Sequence, residues 1–411
     1  MKTFDTFDAS LRLNLLMLFT TGLVFWSSLG LLLPTLPLYI QELGASKQEI
    51  GIAIGGFAIG LLLFRPMLGR LADQHSRKLL LLIGTIVAAI APFGYLAFTS
   101  IPLLMLVRVF HGISMAAFTT GFTALVADLA PIKHRGEIIS YMSLAAPIGF
   151  ALSPALGGYL QPTTGYGVLF LLAAELAFVG VLASIQIINP RVHRQSSAQK
   201  KNTNFWQILI SPRMRVPATV MLAAGLALGG VHTFLPLFIK ETGVDFNAGL
   251  FFTFSAIASF TGRIFMGRAS DRFGRGLFIT FGIVAYTVTT LLLWQAKSSN
   301  MFLLAGITEG FGGGTLISMI TTLMADRSLP EERGQIFAIC IAGFDFGLAI
   351  AAPVLGFVAE KVGYSNMFAY STCLSILGLI IFLTQCNKNL ADSLRFAFGR
   401  GEDAYSVNYP H

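Results

Sequence analysis

Charge is what this sequence has least of. Asp, Glu, Lys and Arg make up 12% of its 411 residues, against about 25% in an ordinary soluble domain. A water-soluble fold of this length needs a larger charged surface, so that class is excluded. Cysteine is scarce too. The three present, Cys340, Cys373 and Cys386, lie in or at the end of apolar runs. So few exclude a disulfide-rich secreted class, and their spacing matches no metal site, which leaves small packing residues. No G-x-x-x-x-G-K-[ST] loop occurs, so no nucleotide-phosphate cradle is expected. Nor does any nucleophile–base or metal-ligand arrangement, so the chain is not expected to be an enzyme or to hold a metal or cofactor. A cleavable leader is not expected either: the first apolar run is too long and lacks a small-residue cleavage site.

What is abundant is apolar. Residues of the hydrophobic class reach 55%, with 36 Phe and 42 Gly, which excludes a disordered chain. Twelve apolar runs lie near 13–40, 49–68, 79–98, 103–127, 137–160, 168–188, 216–240, 248–266, 277–296, 301–324, 335–359 and 366–385. Each approaches the roughly 20 residues that carry a helix across a bilayer. Stretches such as Leu79–Ala91 do not alternate as barrel strands would. The chain is therefore expected to be an all-α integral membrane protein with twelve transmembrane helices in two pseudo-symmetric six-helix bundles.

The net charge of +8 does not point to nucleic acid here. Of the 28 basic residues, 21 fall on one side of the alternating spans and four on the other. That excess places both termini in the cytoplasm of a multi-pass plasma-membrane protein. The division expected is a cytoplasmic N-terminus at 1–12, a six-helix bundle at 13–188, a polar linker at 189–215, a second bundle at 216–385 and a cytoplasmic tail at 386–411, mostly disordered apart from a short surface helix within 390–400.

The halves repeat. Arg65, Gly69, Arg70 and Asp73 return at Arg263, Gly267, Arg268 and Asp271, a constant shift of 198. The same shift carries Arg77 to Arg275, Asp128 to Asp326, Arg135 to Arg333, Gly149 to Gly347 and Gly158 to Gly356. Two parallel repeats place a substrate path at their interface, near the midplane.

The run from Gly69 through Arg70, Asp73 and Arg77 to Lys78 resembles the loop between the second and third helices of the major facilitator superfamily. Gly267, Arg268, Asp271 and Arg275 form its second-half copy. Ser76 stands where that family usually has Gly. The Asp carboxylate suits the positive N-terminus of another helix, and the Arg residues suit acids or phosphates. The resemblance implies a conformational gate, in which Asp73 would serve the helix starting near Gln335 and Asp271 the one starting near Glu137. A plain positive-inside turn is the alternative.

Arg108, with Gly112 after it, resembles the R-x-x-x-G pattern of the fourth helix of proton-coupled members, where an Arg tunes a nearby acid. Snorkelling to the surface is the other reading. One turn on stands His111, whose repeat mate is Glu309. Both lie near the midplane, where the family's helices 1, 4, 7 and 10 line the cavity. They would face each other and share or relay a proton, or His111 would be an interior packing residue. Asp345, between Gly343 and Gly347, is as deep. Ionisable groups at that depth are costly and mark function, so Arg108, His111, Glu309 and Asp345 are the candidates for proton coupling. Phe25, Trp26 and His232 are candidates for the substrate cavity, with core packing equally open. Glu175, in a peripheral span, is structural or faces an outer vestibule.

Gly149, Pro154, Gly157 and Gly158 resemble the fifth-helix motif of exporters that exchange substrate for protons, with Ser153 replacing a Gly. A plain small-residue packing face is the alternative. Together these resemblances imply a monomeric secondary transporter that exports a small amphipathic or sugar-like solute in exchange for protons. The other readings are a proton-coupled importer or uniporter of a metabolite, and a non-transporting receptor or scaffold. Substrate, protons and the lipid bilayer are the expected partners.

Overall fold

The structure, a computed structural model, describes residues 7–131, 134–188, 209–328 and 333–407. The side chains of residues 73, 74, 267, 268, 271, 333–335 and 338 also lie outside the described set. Residues 189–208 of the linker expected at 189–215 and the gating side chains of Asp73, Arg268 and Asp271 therefore fall outside it, as do the surroundings of Gly267.

Among the described residues the regular structure is all helix, as the apolar runs require where no water can satisfy a backbone. Ten helical stretches are long and apolar enough to cross a membrane. Two of them, Arg135–Gln186 and Ile339–Gln385, run to 52 and 47 residues, about two spans each. Each is broken at one glycine, Gly165 (φ 77°, ψ 174°) and Gly363 (φ 81°, ψ 166°). Those dihedrals belong almost exclusively to glycine. Counting each broken helix as two spans gives the expected twelve. Gly165 and Gly363 are themselves 198 residues apart.

The chain forms two compact units. The first comprises residues 1–45, 52–199 and 247–253. It contains α1 (Ala9–Leu32), α2 (Leu36–Glu42), most of α3 (Lys47–Gln74), α4 (Arg77–Ala97), α5 (Ile101–Leu129), α6 (Arg135–Ser143) and α7 (Ala145–Gln186). Helix α1 packs along α7, and α4 against α5. Phe25, Phe118 and Phe122 form part of its core with Leu15, Leu81 and Val181.

The second unit comprises residues 46–51, 200–246 and 254–411. It contains α8 (Pro212–Thr242), most of α9 (Ala248–Phe273), α10 (Arg275–Trp294), α11 (Ser299–Asp326), α12 (Arg333–Gln385) and α13 (Leu390–Ala397). Helix α8 packs along α12, and α10 against α11. Phe278, Tyr286, Leu316, Phe382 and Phe396 lie in its core.

The 198-residue shift is physical as well as textual. A Cβ on Gly112 would run into the Phe57 carbonyl, and one on Gly310 into the Ser255 carbonyl. Both members of each contact are repeat mates, so the same helix crossing is built twice. Arg77 pairs with Asp128 in the first unit, and Arg275 Nε lies 2.5 Å from Asp326 Oδ2 in the second. The two halves differ at one cap. Ser76 has extended backbone and its hydroxyl accepts from Leu79 N, capping α4. Its mate Gly274 has φ 86°, a conformation that demands glycine. Ser76 is thus a helix cap in place of a glycine turn.

The tail overturns one expectation. Residues 387–407 are folded against the second unit rather than disordered. Arg327, 1% exposed, donates from Nε and a terminal nitrogen to both carboxylate oxygens of Asp403, at 2.7 and 2.8 Å. It also donates to the carbonyls of Arg213 and Cys386, at 3.0 and 2.9 Å. Val407 N donates to Asp326 O at 2.8 Å. A buried guanidinium requires such a full set of acceptors, and among these the tail supplies the carboxylate.

Candidate functional site

In a span, a polar side chain is stable only where other polar groups receive it. In the second unit, Glu309 is the clearest case. It lies on α11, 6% exposed. Ser255, from α9, donates its hydroxyl to Glu309 Oε2. His232, from α8, places Nε2 3.8 Å from Glu309 Oε1. The side chain of His232 is 36% exposed, so one wall of the pair is open and the other is packed. Tyr286, from α10, completes the surroundings. Its hydroxyl would stand 2.9 Å from a Cβ on Gly313, with Glu309 Oε1 3.9 Å from the same point. That hydroxyl is buried and has no hydrogen-bond partner among the described residues. Four helices thus converge on one carboxylate.

The first unit builds a counterpart around His111, which is fully buried on α5. Its Nδ1 lies 2.9 Å from the Tyr95 hydroxyl, contributed by α4. The Tyr39 hydroxyl donates to the Tyr95 carbonyl at 2.9 Å. His111 Nε2 has no hydrogen-bond partner among the described residues. Phe57 meets the imidazole edge to face, with ring centroids 5.5 Å apart. Arg108 turns inward: its guanidinium carbon lies 4.6 Å from the Phe57 ring centroid, and it donates to the Ile54 carbonyl at 3.4 Å. That is retention inside the bundle rather than snorkelling.

His111 and Glu309 each have partners within their own unit. The two sites share a plan. In each, the fourth-helix ionisable group stands beside a buried tyrosine from the preceding span, although Tyr95 and Tyr286 are not repeat mates. Nothing in the sequence pattern marks Tyr95, Ser255 or Tyr286; each is recognisable only once the helices cross.

The other candidates fall in several places. Asp345 is half-buried on α12, and a Cβ on either flanking glycine would press on α8 backbone, at Ala218 or Leu222. Phe25 is fully buried and stacked on Phe118 at 3.7 Å between centroids, the packing role its spacing allowed. Trp26 is half-buried, edge-on to Phe25 and 5.3 Å from the Phe150 ring. Glu175 is exposed on the same stripe as Leu171, Phe178 and Leu182, apart from both clusters.

Gly149 and Gly157 bring α7 onto the backbone of α1, at Leu23 to Ser27 and at Leu31. Gly158 meets Asn247, whose amide donates to the Ala155 carbonyl at 3.2 Å. The helix continues through Pro154 and leaves helical dihedrals at Gly165 instead. Of the gating candidates with described side chains, Arg77 ties the start of α4 to the end of α5, through Asp128 and the Ala124 carbonyl at 3.2 Å. Arg275 ties α10 to α11 in the same way. Arg70 is exposed, and among the described residues nothing lies within 4 Å of where a Cβ on Gly69 would stand. An open, wholly apolar groove of about 520 Å³ lies between α4 and α5, lined by Ile90, Phe93, Val107 and Phe110 among others. It contains no charged group.

Comparison with known proteins agrees with this architecture. The sequence profile of the Major Facilitator Superfamily matches residues 18–265 and 244–394. The Multidrug resistance protein 1 of Bacillus subtilis is 25% identical over 383 residues, spanning 90% of this chain and 95% of the relative. The Quinolone resistance protein NorA of Staphylococcus aureus is 29% identical over 356 residues, 79% and 88% of the two chains. Among solved structures, the nucleoside transporter NupG superposes with a TM-score of 0.74 at 16% identity, covering 90% of this chain and 99% of its own; that likeness concerns fold alone. With its all-helical membrane architecture, its twofold repeat and a family match across most of its length, the chain belongs to the major facilitator superfamily of membrane transporters.

Proposed function

We propose that this transporter exports a small amphipathic solute in exchange for protons, with Glu309 as the group that carries the proton. The observation that supports this reading most is the setting of Glu309. A carboxylate with one oxygen held by Ser255 and the other facing a partly exposed histidine stands between a packed, polar interior and a side chain that can exchange protons. Protonation changes the charge of the pair that α8 and α11 present to each other. A change of one charge in a low-dielectric setting biases a two-state equilibrium. His111 and Asp345 are secondary proton sites in this proposal, and Arg108 adjusts the field around His111. The loop pairs Arg77–Asp128 and Arg275–Asp326 act as fixed ties that keep each helix pair rigid while the transporter alternates. The names of the bacterial relatives, which concern multidrug and quinolone resistance, favour an aromatic, amphipathic solute and outward movement. Basic residues on the linker side favour a cytoplasmic placement of both termini.

The test is flux of a fluorescent quinolone into proteoliposomes under an imposed pH gradient. Accumulation in the acidic compartment, lost in Glu309→Gln, agrees with exchange. Accumulation in the alkaline compartment would make the protein an importer, and unchanged flux in Glu309→Gln would remove Glu309 from the coupling.

A further inference from the structure

The chain leaves its last span at Gln385 and forms helix α13 within five residues. Asn389 caps that helix, its side chain accepting from Asp392 N at 2.8 Å. One face, formed by Ser393, Phe396 and Ala397, is buried against the second unit. Short bonds fix the depth at which the helix lies. Asn387 N donates to Ser393 Oγ at 2.9 Å, and Thr280 Oγ1 donates to the Ala397 carbonyl at 2.9 Å. The Phe396 backbone crosses Gly276 so closely that no Cβ would fit. Gly276 and Thr280 are in the first turns of the span Arg275–Trp294, and Asn387 lies two residues past the end of another. Helix α13 is therefore held at the level where spans end.

Beside the buried face runs a second apolar row. Leu390, Leu394 and Phe398 are one turn apart and 55%, 37% and 53% exposed. Phe273, also exposed, continues the row: its carbonyl lies against Gly399. Cations surround it. Lys388, Arg395 and Arg400 are exposed, and the Arg272 guanidinium stands 5.3 Å from the Phe273 ring centroid. The nearby acids are largely engaged elsewhere. Asp403 belongs to Arg327, and Asp392 accepts from the Asn389 amide at 2.7 Å, which leaves Glu402 as the exposed carboxylate of this stretch. An apolar row rimmed by cations, at the depth of the span ends of a membrane protein, matches the headgroup–acyl boundary of a bilayer. Anionic headgroups attract such residues.

We propose that α13 is an interfacial lipid-docking element: Leu390, Leu394, Phe398 and Phe273 dip into the acyl boundary, while Lys388, Arg395 and Arg400 hold anionic phospholipid headgroups. By linking the membrane surface to the tail that carries Asp403, it couples lipid composition to the end of the second unit.

The test uses the full chain with Phe398→Trp, reconstituted in vesicles of phosphatidylglycerol and phosphatidylcholine brominated at shallow acyl positions, with the signal of the parent protein subtracted. The expected result is loss of the added tryptophan's fluorescence to bromine together with shielding from aqueous acrylamide. Bromine quenching should be stronger when phosphatidylglycerol carries the bromine, and the triple variant Lys388→Gln, Arg395→Gln, Arg400→Gln should abolish that preference. Free access of acrylamide without bromine quenching would overturn the proposal, leaving the row in water. Shielding from both quenchers would also overturn it, in favour of a second copy of the chain or another protein segment over the row. A lipid preference that survives the triple variant would overturn the headgroup assignment. The parent's tryptophans, Trp26, Trp206 and Trp294, report on folding: their own quenching stays constant in a variant that folds.

Discussion

Glu309 and His232 meet inside the second unit with 3.8 Å between Oε1 and Nε2, the acid packed and the histidine partly exposed. A proton placed on either group changes the charge that the other faces across that distance. In Glu309→Gln the pair loses its acid, so gradient-driven flux should fall to the level of protein-free vesicles while the protein stays folded. His232→Gln keeps the carboxylate but removes its facing base. Flux should persist with its pH profile displaced. An unchanged pH profile in His232→Gln would show that the histidine does not communicate with Glu309.

Arg327 depends on a partner 76 positions away. Removing one member of a buried ion pair leaves an uncompensated charge, at a cost of about 3–5 kcal/mol. Asp403→Ala should therefore lower the melting temperature of the purified transporter clearly, and truncation before residue 403 should do the same. Asp403→Asn, which keeps an acceptor for the guanidinium, should cost less. Melting temperatures equal to the parent's for all three would mean that the tail contributes nothing to the unit.

The thiol of Cys386 reports on the same contact. Burial pushes its pKa up to about 11, against smaller opposing effects from Arg327 and Ser393. A thiol with a raised pKa and no access reacts slowly. Cys386 should resist maleimide at neutral pH in the intact protein and react when Asp403→Ala releases the tail. Mass spectrometry of the labelled peptide separates it from Cys340, also buried, and Cys373, which is exposed.

Gly165 and Gly363 break the two double-length helices at dihedrals that side chains avoid. Alanine at either position should cost about 1–3 kcal/mol and reduce the yield of folded protein. Gly167→Ala is the matched comparison, since its Cβ would meet one atom, of Leu96, at 4.0 Å. If all three substitutions behave alike, the breaks are not held by glycine geometry.

Tyr95 holds His111 by one hydrogen bond in a fully buried setting. Tyr95→Phe leaves the imidazole nitrogen without that partner, which costs about 1–3 kcal/mol. Thermal stability measures the loss. A neutral result would mean that His111 finds another partner or turns.

The sequence made the fold legible because its main determinants are local or periodic. Apolar length set the spans, and the 198-residue shift exposed the twofold repeat from charged and glycine positions alone. Even Asp128 and Asp326, noted in the sequence merely as mates, prove to be the partners of Arg77 and Arg275. The polar interior was legible in part. Glu309 stood out as an ionisable group deep in a span and His232 as a candidate for the cavity, but their pairing depends on how α8 and α11 cross. Tyr95 and Ser255 gave no signal, since tyrosine and serine are ordinary in membrane helices and the contacts are made through tertiary packing. Arg327 carried only a topology signal in the sequence, as a basic residue after a span, because its burial depends on Asp403 far along the chain. Ser76 looked like a lapse in a glycine motif until its extended backbone showed a helix cap.

The most direct measurement of the central claim is proton movement caused by substrate alone. Proteoliposomes loaded with a quinolone and with the pH dye pyranine are diluted into quinolone-free buffer at equal pH. Exchange requires protons to enter as substrate leaves, so the interior should acidify, and the Glu309→Gln protein should abolish the change. An interior that becomes alkaline, or one whose pH stays constant while quinolone leaves through the protein, would contradict the account.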